Sequence, residues 1–345
     1  MITALLISVI LGYLPMIVFS YAIYWLDRYE KEPLPLLLFA FLWGAVIAAM
    51  AAFVINTLLG AGVYWLTNST GAATFSVSSI FAPIIEEIFK GIAVLIVFLF
   101  FRSEFDSILD GIIYAAVTAL GFAATENAYY IFSMGYAAAG WQGLFQLAFI
   151  RIVLVGWQHP FYTAFFGIGL ALARTQKSHF IKFFAPLGGL MLAIISHSLH
   201  NTISPLLIYN AGWSGMLHAS QLDWLGWGFM LIFVIFMIQH EETIMKTHLM
   251  EEIQHNIITQ NQYLAVVSHY HRKLLKATVL QQEKSSRKVV AELCQLSAEL
   301  AHKKHQYLHH GNEQRNLEII QDARKRLFVL SQQLRKYDTP LPASE

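Results

Sequence analysis

Apolar runs close to the roughly 20 residues a helix needs to cross a bilayer recur along this chain, and they leave few folds open to it. With 56% hydrophobic and only 13% charged residues among 345, and a mean hydropathy of +0.51, the chain is too apolar for an ordinary soluble domain. The reading is an all-α, polytopic transmembrane bundle of about seven spans over residues 1–240, followed by a cytoplasmic helical tail with coiled-coil character over 241–345.

The first span, 1–25, lacks a basic leading segment and a small-residue cleavage site, and reads as an uncleaved anchor. A charged turn from Asp27 to Pro33 ends it. Spans follow at about 34–59, 79–101, 107–132, 145–173, from beyond Lys182 to about 209, and 224–238, with His159-Pro160 predicting a kink in the fifth. Arg28, Lys31, Arg102, Arg174, Lys177 and Lys182 all fall in alternate loops, whereas loops near 60–78, 134–144 and 210–222 carry no Lys or Arg. That bias predicts a multi-pass cell-membrane protein with the N-terminus outside and the tail in the cytoplasm.

Within the third span lies Phe-Ala-Pro-Ile-Ile-Glu-Glu-Ile-Phe-Lys-Gly, carrying Glu86, Glu87 and Lys90. Each charge at membrane depth costs roughly 2.5–3.5 kcal/mol on insertion scales, so three together predict a functional site. Lys90 is three residues from Glu87 and four from Glu86, so it can hold one acid and leave the other free. At ~1.5 Å rise per residue, Glu86, Glu87 and Glu126 fall ~10–12 Å from the outer ends of their spans. His197 to Asn201 fall ~12–18 Å deep and His159 roughly 20 Å. Polar groups of four helices thus share one layer and predict a single buried, water-accessible site.

His197 and Asn201 are four apart, with His200 between them, and Phe122 and Glu126 share a helix face beside Gly121. Two chemistries suit this set. A carboxylate can act as general base on water while His and Asn stabilise the oxyanion. Alternatively, Glu126, His159, His197 and His200 are candidate ligands for Zn²⁺, which acidifies a water. Arg151 and Asp110, nearer span ends, read as snorkelling or helix-terminal residues.

The Glu86–Gly91 segment, Gly121–Tyr130, His159 on a helix of small and aromatic residues, and the His197–Asn201 segment resemble the motifs of the PrsW family of intramembrane proteases, within the wider superfamily of CAAX-prenyl endopeptidases and bacteriocin-processing enzymes. The likeness covers about residues 27–209. It implies an endopeptidase that cuts near the membrane, with a membrane-anchored substrate of the anti-sigma-factor kind. By position it implies Glu86, Glu87, Glu126, His159, His197 and Asn201 as catalytic residues. The CAAX-type second motif ends in histidine, where this chain has Glu126-Asn127.

From 239 onward the composition turns polar. Val289, Leu293, Leu296 and Leu300, and Ile320, Ala323, Leu327, Leu330 and Leu334, step by three and four like a/d positions, with a break expected at Gly311-Asn312. The tail is therefore expected to mediate homo-association or bind a regulator. Its histidines read as solvated helix residues and Cys294 as a packed small hydrophobe. One cysteine excludes an intramolecular disulfide and a Cys-based zinc site, and a net charge of +1 without a basic face argues against nucleic acid. The competing classes are a transporter or proton-conducting protein, which often shows internal repeats not seen here, and a scaffold that binds membrane substrates without cutting.

Overall fold

A computed structural model describes residues 1–27, 29–282, 286–311 and 315–337; Arg28 and Asn312, both weighed above, lie outside the described residues. Among the described residues the secondary structure is helical, with no strand. The chain divides into two compact units, Met1–Leu26 with Glu32–Val234, and Asp27–Lys31 with Ile235–Glu345. The division falls a few residues before the expected 240, and the charged turn after the first helix groups with the tail.

In the first unit, α1 is Ile2–Leu26 and α2 is Leu34–Thr67. Residues 70–100 form α3, ending in Ala82–Phe100; the expected uncharged loop at 60–78 is mostly helical, shared between the end of α2 and the start of α3 with a turn at Asn68-Ser69. Helix α4 spans 108–138 and α5 spans 141–154; the chain reverses at Gly140, whose φ of +61° favours glycine. α6 is Gln158–Thr175. A second reversal at Gly212 (φ +55°) separates α7, 179–211, from α8, 213–254. The expected seventh span, about 224–238, therefore lies inside α8, which starts eleven residues earlier at 213, because a one-glycine turn replaces the predicted loop at 210–222. Four stretches, Ile2–Leu26, Leu34–Thr67, Ile108–Thr175 and His179–Gln254, are long and apolar enough to cross a membrane by length and composition, the latter two including the reversals.

Helix α4 is the centre of this unit. Its run of Ala, Gly and Thr is buried almost throughout, from Leu109 to Ala124. Small side chains let neighbouring backbones approach, which is how helices associate where lipid gives no hydrophobic drive. A Cβ on Gly111 would stand 2.3 Å from the Gly167 carbonyl of α6, and one on Gly121 2.0 Å from the Phe41 carbonyl of α2. Ser107 and Asp110 form a capping box at the start of α4, a helix-terminal role for Asp110. The chain from α5 to α6 breaks at 155–157, and Pro160 sits in the first turn of α6, where its missing N–H costs nothing; it does not kink a helix interior.

Tyr114 of α4 donates to Glu32, and Arg174 donates to the Arg102 carbonyl at 3.2 Å, so the loops at 32, 102–107 and 174 gather at one end. The outward faces of α1 and α2 expose Leu, Ile, Val and Phe in number, as helices solvated by acyl chains do.

In the second unit, α9 is Gln260–Val267, α10 His269–Gln282, α11 Ser286–His310 and α12 Asn316–Leu334. Leu293, Leu296, Leu300, Ala323, Leu327, Leu330 and Leu334 are buried, whereas Val289 is half-buried and Val290 takes its inward place. Gly311, at φ +68°, follows α11 at the expected break. A buried ion network fastens the unit: Glu252, fully buried, accepts from Lys304 at 2.7 Å and from Arg324 Nη2 and Nε, one edge of the guanidinium, at 2.7 and 3.0 Å. Gln295 brackets the Lys31 backbone, accepting from its N–H at 2.9 Å. Cys294 is buried, as a packed small side chain.

Candidate active site

Glu86, Glu87 and Lys90 lie on the inward face of α3, and all three are buried. Spacing divides the work. Lys90 Nζ reaches Glu87 Oε1 at 2.5 Å across one helical turn, with neither side chain exposed. Thr163 Oγ of α6 donates to Glu87 Oε2 at 2.8 Å, and His197 Nδ1 of α7 stands 2.9 Å from Oε1. Glu87 is thereby saturated, while the buried Glu86 Oε2 has no hydrogen-bond partner. A bare carboxylate oxygen away from water is costly to keep and calls for a cation, a proton or substrate.

Two histidines face that oxygen. His197 Nε2 is 3.8 Å from Glu86 Oε2, and Glu86, His159 and His197 each offer a ligand atom within 4.8 Å of the others. His159 has its own acid: Nε2 is 2.9 Å from Glu126 Oε2, and its Nδ1 is 3.3 Å from Lys90 Nζ. Glu126 has its own cation, Arg151, at 2.5 Å. Arg151 also donates to Asn127 at 2.7 Å and lies 4.4 Å over the Tyr130 ring. The arrangement is thus two parallel relays, Lys90–Glu87–His197 and Arg151–Glu126–His159, converging on Glu86. A carboxylate on one imidazole nitrogen fixes the tautomer and orients the other toward a metal. One carboxylate and two imidazoles form a donor set suited to zinc, with an open position for water. The unpartnered Glu86 oxygen fits that use. Phe122, on the Glu126 face, lies 4.8 Å below Lys90 Nζ and 5.3 Å from the His159 ring.

The structure brings Glu86, Glu87, Glu126, His159 and His197 together, and sets the other two candidates apart. Asn201 donates to the Ser78 carbonyl at 2.9 Å and Ser198 to that of Ser79. These acceptors lie in the π-helical turn Val77–Phe81, whose widened geometry offers carbonyls that an α-helix would use itself. Asn201 here seats α7 on α3 rather than facing a substrate oxyanion. His200 lies outside the group of three: its Nδ1 is 3.0 Å from Asp223 Oδ1 and 2.7 Å from the Gln158 amide. Gln158 donates to Asp223 Oδ2 at 2.6 Å, and Trp224 to the Leu154 carbonyl at 3.0 Å. Asp223 therefore bolts α8 to the break that sets the start of α6, one residue before His159.

Sequence reasoning missed Asp223, Gln158 and Thr163, and placed Arg151 at a membrane rim. The depth rule applied to Arg151 would have found it: it sits in the π-turn Ile150–Leu154, well inside the α5–α6 stretch. Nothing in the spacing of Asp223 announces its partner, because the Gly212 reversal brings it back to His200.

By rise per residue, the site lies roughly 20–27 Å along the helices from the end where the loops at 32, 102–107 and 174 gather.

The family described as PrsW family intramembrane metalloprotease matches residues 32–239, more than half of the chain. Among curated proteins, a Protease PrsW of Geobacillus kaustophilus is 34% identical over 113 residues, covering 33% of this chain and 47% of that protein. A Protease PrsW of Clostridioides difficile is 36% identical over 124 residues, 36% of this chain and 50% of that one. That of Bacillus subtilis is 28% identical over 148 residues, 43% and 60% respectively. The matched region spans about half the length of the first two relatives. No solved structure matches. The fold's helices, the site between them and the extent of the family match lead to one conclusion: the chain belongs to the PrsW family of intramembrane metalloproteases.

Proposed function

We propose that this chain is an intramembrane endopeptidase that hydrolyses peptide bonds of membrane-anchored proteins, with Glu86, His159 and His197 holding a zinc ion. The observation that carries this reading is the buried, partnerless oxygen of Glu86 facing two histidines. When bound, zinc supplies Lewis acidity that lowers the pKa of a water and polarises the peptide carbonyl.

The chain's own residues do the rest. Glu87 holds the proton on His197 Nδ1, so that Nε2 is the free donor atom, and Thr163 and Lys90 keep Glu87 in place. Glu126 does the same for His159 through Nε2. Lys90 must withdraw from His159 Nδ1 when that nitrogen takes a ligand, and Glu87 at 2.5 Å is there to keep it. Of the three carboxylates, Glu126 is the most open, its side chain 19% exposed against 9% for Glu86 and 0% for Glu87. It is assigned proton transfer from water to the departing amine. Arg151 keeps Glu126 oriented during that transfer.

We assign the shared end, where the basic loops lie, to the cytoplasmic side and the site to the extracytoplasmic half; the Lys/Arg bias of alternate loops supports this. The cell membrane is the location, and a single-span protein of the anti-sigma-factor kind is the substrate class. The test is cleavage of such a substrate by the purified chain in lipid vesicles. Removal of metal by a chelator should abolish cleavage and zinc should restore it, with Glu86→Gln inactive in both. Undiminished cleavage by metal-free protein would overturn the reading.

A further inference from the structure

The tail holds a second group of imidazoles. Helix α8 contributes His240 and His248, and α11 contributes His305 and His309, which are four apart and so share a helix face. His248 Nε2 and His305 Nδ1 are 3.2 Å apart. The His305 ring lies 4.3 Å from that of His309 and 6.4 Å from that of His240, centroid to centroid. Two nitrogens bound to one tetrahedral zinc at ~2.0–2.1 Å stand roughly 3.3 Å apart, which is the separation His248 and His305 already have. His305 and His309 repeat the i, i+4 histidine pairing by which a helix offers two ligands to one ion.

The surroundings admit a cation. Lys304, which donates to the His248 carbonyl at 2.6 Å, is neutralised by Glu251 and Glu252 at 2.6 and 2.7 Å. Burial first, and then the neighbouring His309, His248, His302 and His240, hold the His305 imidazole down at about 4, so its nitrogens are free of a second proton at neutral pH. His248 and His305 are half-buried, whereas His240 and His309 are exposed, so a set of three or four ligands needs the exposed rings to turn toward the His248–His305 pair. Solvated histidines, the expectation from sequence, would not pair nitrogen to nitrogen across two helices.

We propose that His248, His305 and His309, with His240 as the fourth, form a binding site for a borderline divalent cation, zinc above all, independent of the peptidase site. Occupancy would tie α11 to α8 and let cytoplasmic metal set the stiffness of the tail.

The test is zinc stoichiometry by equilibrium dialysis of the untagged full chain in detergent, at low micromolar free Zn²⁺. A His248→Ala/His305→Ala double variant should bind one equivalent fewer than wild type. Glu86→Gln should retain the tail equivalent even if the peptidase site binds none, so failure of one site is read separately from failure of the other. His305→Asn, which keeps a hydrogen-bond partner for His248, should lose the same equivalent while its circular dichroism stays that of wild type. Equal stoichiometry in wild type, the double variant and His305→Asn would overturn the proposal.

Discussion

Glu86 and Glu87 are adjacent, identical in type and both buried, yet the structure assigns them opposite energetics. Glu87 accepts from Lys90 at 2.5 Å, His197 at 2.9 Å and Thr163 at 2.8 Å. Replacing it with glutamine keeps an acceptor for Thr163 but leaves Lys90, with no exposure, as an uncompensated buried charge. Breaking a buried pair in this way costs about 3–5 kcal/mol, and the retained amide oxygen argues for the lower end. A loss of about 3 kcal/mol shifts the unfolding equilibrium roughly hundredfold. Glu86 Oε2 has no partner to lose, so Glu86→Gln in metal-free protein should stay within about 1 kcal/mol of wild type, or gain stability. Unfolding of the purified, chelator-treated chain in mixed micelles measures both variants. Both should be inactive, but only Glu87→Gln should unfold more readily. Equal destabilisation by the two substitutions, or a larger effect at Glu86, would refute the division of roles.

Asp223→Asn weakens the hold on His200 and on Gln158, the residue before His159, and should lower kcat with little change in KM because the start of α6 is less firmly set; a change confined to KM would count against it. In the tail, Lys304 first, with Arg324 and His255, holds the Glu251 carboxyl down at about 2, with buried Glu252 alongside. Its folded value lies below the ordinary 4.5, so its contribution is present above pH 4.5 and lost as pH falls toward 2. Tail helicity followed by circular dichroism should therefore decline more steeply over that window in wild type than in Glu251→Gln. Reporters fused after Lys177 or at the C-terminus should register the cytoplasm, and fusions near Thr70 or Trp213 the opposite face; the reverse pattern would invert the orientation.

The helical bundle was legible because lipid leaves an apolar run of this length little choice of structure, and the site because charges at membrane depth are too costly to keep idle. Helical spacing put Lys90 within reach of either acid, and only packing against α6 and α7 decides for Glu87. Where spacing ended, so did legibility. Arg151 sits near Glu126 because the chain reverses at Gly140, and Asp223 meets His200 because it reverses at Gly212. A single glycine with positive φ replaces what composition reads as a long loop. Asn201 and His200 share the right depth with the site but point elsewhere, since depth fixes the layer and not the azimuth around the helix. In the tail, the leucine stripes were readable by their steps of three and four, whereas the histidines of α8 and α11 lie more than 50 positions apart in sequence, and only folding brings His248 to His305.

The central claim is that Glu86, His159 and His197 hold the metal that cleaves the substrate. Zinc X-ray absorption on active protein carrying His248→Ala and His305→Ala, so that the tail group is silent, tests it most directly. The account predicts a shell of nitrogen and oxygen ligands at ~2.0–2.2 Å that includes two imidazoles, lost together with cleavage in Glu86→Gln. Full cleavage by protein without zinc, or a zinc shell unchanged by Glu86→Gln, would contradict it.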